Sequence, residues 1–264
     1  MVRNLGQLEA AALAYVQMRS IRTVRTGDLI DPLRVNPKQE RELLSRMART
    51  GIIANAQRGL YLFPAKLPIG GIWTPDEATA ITVLMAEKQA RYQITGLSAF
   101  NRYGYDDQIP SRITLYNDTL SGDRTIGQVN LTLIKVGADR LGSSEHVETP
   151  DAETLIYSSR VRTLVDAVYD WSRFDSLPRA YQWIARELDA GRVAVSELAE
   201  TAVRYGNIGT IRRIGALLEQ MDVKEPILRR LERALTPSTA KIPFIPDRPT
   251  RGTLLQRWGV VLNV

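Results

Sequence analysis

The chain has 264 residues, 44% hydrophobic and 24% charged, with 35 basic against 29 acidic side chains for a formal net charge of +6, which fits two domains with buried cores rather than a disordered polymer. It has no cysteine and one histidine; this excludes disulfides, iron–sulfur clusters and thiolate zinc sites, and argues against a histidine metal site or a serine-histidine-aspartate triad. No apolar run reaches the roughly 18 residues of a membrane span and no basic-then-apolar leader opens the chain, so a cytoplasmic protein without membrane, metal or cofactor is expected.

The charge is unevenly placed. Up to Lys66, Arg3, Arg19, Arg22, Arg25, Arg34, Lys38, Arg41, Arg46, Arg49, Arg58 and Lys66 face only Glu9, Asp28, Asp31, Glu40 and Glu42, so the first quarter carries the whole net charge. Such asymmetry marks nucleic-acid-binding segments. The break suggests an N-terminal domain over residues 1–66, a linker over 67–74 containing Pro68 and Gly70-Gly71, and a larger domain over 75–264.

Residues 6–18 place Leu8, Ala11, Ala12, Tyr15 and Val16 along one face of a first helix. A second, short helix is expected from Thr26 or Gly27, with Leu29 and Ile30 inward and a stop near Pro32. Asn36-Pro37, a cap followed by proline at the first helical position, opens a third helix to about Thr50. At about 100° per residue, Leu43, Leu44 and Met47 fall on one side, Lys38, Arg41, Glu42, Ser45 and Arg49 on the other, and Gln39 and Arg46 on the flank. Gly51 ends this helix. Residues 52–54 and 60–63 then read as strands around a turn at 55–59, which completes the order of a winged helix-turn-helix.

In such domains the start of the recognition helix reaches base edges, here Lys38, Gln39, Arg41, Glu42 and Ser45. Arginine suits guanine, glutamine suits adenine, and glutamate accepts from cytosine. Arg22, Arg25, Arg46 and Arg49 are expected as phosphate contacts and Arg58, at the hairpin tip, as a minor-groove probe. The plainer alternative is a solvated helical surface or a protein-binding winged helix.

The second domain opens at Thr74-Pro75-Asp76-Glu77, with threonine as cap, and its helix continues through Ile81, Leu84 and Met85. A short helix over 97–103 precedes strands at 112–116, at 129–136, where Leu131 and Leu133 alternate with Asn130 and Thr132, and at 154–157. Helices fill 160–235, a stretch with Pro237, Pro243, Pro246 and Pro249 follows, and residues 258–264 read as a final strand. The expected class is therefore α+β: a winged helix followed by a mixed α/β domain with a helix-rich second half.

No catalytic constellation emerges, and no enzyme is expected. Gly142-Ser143 with Asp151 and Glu153 is similar to a nucleotidyltransferase pattern, but with too short a separation, and Leu133 stands where a restriction-type nuclease needs glutamate before Ile134-Lys135. His146 reads as a loop residue. Arg212-Arg213 and Arg229-Arg230 with Arg233 read as solvated helix faces or, alternatively, as a second nucleic-acid surface. Tyr103, Tyr105 and Trp171 read as packing residues rather than a base-stacking platform.

Four segments occur in a familiar order: Arg58-Gly59-Leu60-Tyr61; Thr95-Gly96-Leu97-Ser98-Ala99-Phe100 with Tyr103-Gly104 and Gln108-Ile109-Pro110; Arg162-Thr163-Leu164-Val165-Asp166; and Arg257-Trp258-Gly259-Val260-Val261-Leu262-Asn263-Val264. Together they resemble the AbiEi antitoxins of bacterial abortive-infection systems, although Val161 stands where that family usually has glutamate. The resemblance implies an autorepressor that binds inverted repeats of double-stranded DNA in its own promoter, with two copies on the two half-sites. It also implies an antitoxin of type IV, counteracting a nucleotidyltransferase-like toxin without a stable complex. The competing expectation is a winged-helix transcription factor with a ligand- or protein-sensing C-terminal domain.

Overall fold

The structure is a computed structural model and describes residues 5–68, 70–150 and 152–263, so Arg3, Asp151 and Val264 lie outside the described residues. The first helix, α1 (Gln7–Met18), buries Glu9, Ala12, Leu13 and Val16, a stripe at helical spacing. The face expected from Leu8, Ala11 and Tyr15 is rotated, because Glu9 turns inward to accept from the Gly6 N–H and from Arg46 Nε, each at 3.0 Å.

The expected second helix is a single helical turn, α2 (Ile30–Leu33), which contains Pro32 and ends on Arg34 at φ 52°, and an unexpected strand, β1 (Thr23–Arg25), precedes it. α3 (Pro37–Arg49) forms as the sequence indicates, with the Asn36 side chain accepting from the N–H groups of Lys38 and Gln39. β2 (Ala54–Gln57) and β3 (Leu60–Leu62) make a hairpin whose turn narrows to Arg58-Gly59, with Gly59 in the left-handed region at φ 79°. Ile52 and Ile53 are buried just before it rather than in a strand. The sheet order is β1-β3-β2, so this unit is a winged helix.

Its sheet is covered on both sides. Val24 and Tyr61 pack with Leu13, Leu29, Leu44 and Met47, whereas Ala54, Ala56, Leu60 and Leu62 join a core with Ile81 and Leu84 of α4 (Glu77–Glu87). The cap of α4 is Asp76, accepting from the Thr79 N–H at 2.8 Å, rather than Thr74, whose hydroxyl accepts from the Gln128 N–H at 2.8 Å.

The larger domain is built on β4 (Tyr92–Ile94), β5 (Ile113–Asn117), β6 (Gly122–Ile126), β7 (Val129–Lys135), β8 (Ser144–Glu148) and β9 (Thr154–Ser158), with α5 (Gly96–Arg102) after β4. The order is β6-β7-β5-β4-β9-β8; β5 with β7 and β4 with β9 run parallel, the other neighbours antiparallel. His146 lies on β8 opposite Ile156, not in a loop. β6 and β8 are edge strands, exposed at most positions on both faces, so neither carries the alternation that betrays a strand.

Leu115, Leu131 and Leu133 point to the face shared with α4 and the wing, while Tyr116 and Ile134 point to a second core. That core is roofed by α6 (Arg160–Tyr169), α7 (Trp171–Phe174), α8 (Arg179–Asp189), α9 (Val195–Tyr205), α10 (Ile208–Gln220) and α11 (Glu225–Arg233). The chain closes with β10 (Ile242–Pro243), β11 (Thr253–Leu255) and β12 (Val260–Leu262), ordered β10-β12-β11. Gly215 of α10 lies against the buried Trp258 ring, where a Cβ would clash.

Arg212 and Arg213 are not on a solvated face; they are 6% and 8% exposed. Arg212 donates to the carbonyls of Trp258, Ala240 and Gly259, and Arg213 to that of Pro243 at 3.3 Å. These guanidiniums satisfy backbone carbonyls at the edge of the small sheet. Among the described residues no helix is long and apolar enough to cross a membrane.

Candidate nucleic-acid interface

The outward side of α3 presents Lys38, Gln39, Arg41, Glu42, Ser45, Arg46 and Arg49, all exposed, opposite the buried Leu43, Leu44 and Met47. Glu40 belongs to the buried stripe and is 0% exposed. Its carboxylate accepts from the Gly27 N–H at 2.7 Å and the Leu29 N–H at 2.9 Å. On the other side of that turn, the Thr26 N–H donates to the Gly59 carbonyl at 2.9 Å. The turn is thus clamped between the first turn of α3 and the wing tip, which fixes Arg58 relative to the start of the recognition helix. Glu40 was hidden in the charge count; its signal was its place three residues before Leu43 on the apolar stripe.

The expected DNA-reading residues differ in how free they are. Arg41, Arg49 and the wing-tip Arg58 have no carboxylate partner among the described residues, and Ser45 lies exposed between the first two. Lys38 and Glu42 face each other at 4.0 Å, one helical turn apart. Gln39 Oε1 accepts from the Asn36 N–H at 2.9 Å and completes a capping box. Reading adenine with both ends of that amide would therefore break the cap. Arg46 is held by Glu9 through the 3.0 Å bond from its Nε.

Arg22 and Arg25, expected to face phosphates, are engaged by the second domain. Arg25 makes a two-pronged pair with Glu87 at the end of α4, one prong at 2.7 Å, and this hydrogen bonding holds the Glu87 carboxyl below its ordinary range. Arg22 Nη1 donates to Glu153 at 3.2 Å, and Glu153 also accepts from Thr79 Oγ1 and Thr82 Oγ1, each at 3.1 Å. Because β1 pairs its Arg25 with Leu60, the arginine leaves the sheet on the side that meets α4.

The residues of the nucleotidyltransferase-like pattern serve other ends. The Gly142 N–H donates to Gln93 Oε1 at 2.8 Å, the Gly142 carbonyl accepts from Arg162, and the Ser143 and Ser159 hydroxyls lie 2.8 Å apart. Glu153 is occupied as described. Among the described residues no cluster of three or more acidic or histidine side chains could hold a metal ion.

Comparison with known proteins adds three findings. The fold is similar to that in the crystal structure of the RV2827C protein from Mycobacterium tuberculosis, with a TM-score of 0.59 and 16% identity over 98% of this chain and 92% of that one. No curated protein matches this chain. The profile of a family of unknown function, DUF6088, matches residues 9–148, from the first helix of the winged helix to the last residue of β8. The chain belongs to the DUF6088 family.

Proposed function

We propose that the protein is a DNA-binding autorepressor that reads inverted repeats in its own promoter, one copy per half-site, and is the antitoxin of an AbiE-like type IV pair. The observation that carries the DNA-binding reading is the row Arg41, Ser45 and Arg49 on the exposed face of a capped helix, with Arg58 clamped beside it by the turn at residues 26–29. Guanidiniums on a rigid helix suit guanine edges and phosphates, and a hydroxyl suits either. The antitoxin half rests on the likeness of four sequence segments to the AbiEi family. The partner toxin, of nucleotidyltransferase type, is counteracted without a stable complex, and the protein itself has no enzymatic role.

A titration of the protein on its own upstream DNA against scrambled DNA tests the reading. Preference for its own promoter is expected, with Arg41→Ala weakening that complex by about 1–3 kcal/mol and relaxing sequence preference. Arg49→Ala should weaken both DNAs alike. Equal binding to both DNAs by the unaltered protein would overturn the repressor reading. Absence of a nucleotidyltransferase-like reading frame beside its gene, or failure to rescue growth when co-expressed with one found there, would overturn the antitoxin reading. A ligand-sensing second domain is the alternative, favoured by a cleft of about 440 Å³ lined by Leu97, Ile109, Arg112, Thr132, Arg173 and Phe174; repression relieved by a small metabolite would support it.

A further inference from the structure

Away from the winged helix, arginines and aromatic rings alternate across one face where α5, the start of α6 and α8 meet the end of β9. The Arg102 guanidinium lies 4.8 Å from the Tyr157 ring centre and 6.0 Å from that of Tyr103. Arg160 covers Tyr103 at 4.7 Å. Tyr103 leads to Tyr105 at 6.0 Å, and Tyr105 stacks on Trp183 at 5.4 Å. Arg186 covers Tyr105 at 5.6 Å and Arg179 covers Trp183 at 5.5 Å.

The charges on this face do not balance. Glu187, 1% exposed, receives Arg192 at 2.8 and 2.9 Å, Arg160 at 3.2 Å and Arg186 at 3.9 Å. Asp106 takes Arg179 at 3.0 Å, Glu145 lies beside Tyr103, and Arg102 has no carboxylate partner in any described ion pair. With Glu77 beside Tyr157, five guanidiniums stand against four carboxylates, and Arg102, Arg179, Arg186 and Arg192 are exposed. Packing alone does not call for this surplus. Tyr103 is already anchored by its hydroxyl to the Ser158 carbonyl at 2.9 Å, and Tyr105 and Trp183 are buried beneath the arginines.

We infer that this ladder is a second nucleic-acid surface, one that takes a single strand rather than a duplex. Guanidiniums held over rings lose little freedom on binding; their N–H groups match phosphate oxygens, and a guanidinium plane can stack an unpaired base. The ladder interleaves guanidiniums of α5, α6 and α8 with aromatic rings, an arrangement that suits a strand whose bases are splayed. The inference is independent of the promoter-binding proposal, since it uses none of the winged helix.

The test is fluorescence anisotropy with labelled single strands of about twelve nucleotides, oligouridylate RNA and the matching DNA. The proteins compared are the full chain, Arg102→Ala/Arg186→Ala, an equally neutralised control Arg229→Ala/Arg230→Ala on α11, and Arg41→Ala/Arg49→Ala on α3. The ladder variant is expected to bind the single strand about tenfold or more weakly, with the other two near the unaltered protein. Unchanged far-UV circular dichroism and melting temperature would show that the ladder variant is folded; if it is not, Arg102→Gln alone repeats the comparison. Equal losses in the ladder and control variants, a loss confined to the α3 variant, or no binding by the full chain would overturn the inference. Tighter binding of RNA than DNA would identify RNA as the source of the strand, and the reverse would identify DNA.

Discussion

Asp166 is the most exacting place to perturb the fold. It is 0% exposed, as is Arg162 one turn before it. Asp166 Oδ1 accepts from Arg162 Nε at 2.9 Å and from Arg140 Nη2 at 2.6 Å, while Oδ2 accepts from Thr95 Oγ1 at 3.1 Å and Ser158 Oγ at 3.3 Å. One carboxylate thus joins the junction of β4 and α5, β9, α6 and the short turn at Ala138–Arg140. Arg162 is further held by the Gly142 and Arg140 carbonyls, each at 2.8 Å. Arg140 has its Nε and Nη1 buried without a hydrogen-bond partner and lies 3.7 Å from the Tyr169 ring centre.

In Asp166→Ala both guanidiniums stay buried and lose their shared anion. Breaking a buried pair by truncating one partner costs about 3–5 kcal/mol, and each of the two hydroxyl donors loses a bond worth about 1 kcal/mol. A domain of typical stability, about 5–15 kcal/mol, would be left near its unfolding threshold. Asp166→Asn keeps shape and an acceptor oxygen, so it should lose less. Urea unfolding followed by far-UV circular dichroism measures both. A loss below about 1 kcal/mol for Asp166→Ala, the worth of an exposed pair, would refute the reasoning.

Glu40→Ala leaves the buried Leu29 N–H without its charged acceptor and frees the Gly27 N–H of an exposed turn; it should cost about 1–3 kcal/mol in thermal or urea unfolding, with weaker promoter binding as the turn between α3 and the wing loosens. Unchanged stability and affinity would contradict the clamp. Glu187 supplies a pH dependence: hydrogen bonds from Arg192 and the charge of Arg160 hold its folded carboxyl below the ordinary range. Its stabilisation is complete above the unfolded value of about 4.3 and is lost as pH falls through the lower folded value. Glu187→Gln should therefore flatten the acid side of the stability curve, and an acid limb as steep as in the unaltered protein would exclude Glu187 as its source. Arg212→Met should lower stability by about 2–4 kcal/mol, because the carbonyls of Trp258, Ala240 and Gly259 lose their donor; a neutral result would mean that water replaces it.

The recognition helix was legible because its signals are local: Asn36-Pro37 set its start, and the spacing of Leu43, Leu44 and Met47 set its buried side. β1 was not legible, since three residues carry no period and its partner, β3, lies more than thirty residues on. Arg22 and Arg25 look like free cations in the sequence, yet their partners Glu153 and Glu87 are 131 and 62 residues away. Arg212 misled for a related reason: arginine reads as surface, and the carbonyls that permit its burial come from chain segments 28 to 47 residues later. The segment Arg162 to Asp166 stood out through its likeness to a family; its reason is the buried ion network, which periodicity alone does not disclose.

On the proposed function, DNA meets the α3 face and the wing tip, not Arg22 and Arg25. The measurement that tests it most directly is the salt dependence of promoter binding for single alanine variants of Arg49, Arg58, Arg22 and Arg25. Each lost phosphate contact should shallow the slope of log affinity against log salt by about 0.9. That change is expected for Arg49→Ala and Arg58→Ala, and an unchanged slope for Arg22→Ala and Arg25→Ala. The opposite pattern, or no binding to promoter DNA at low salt, would contradict it.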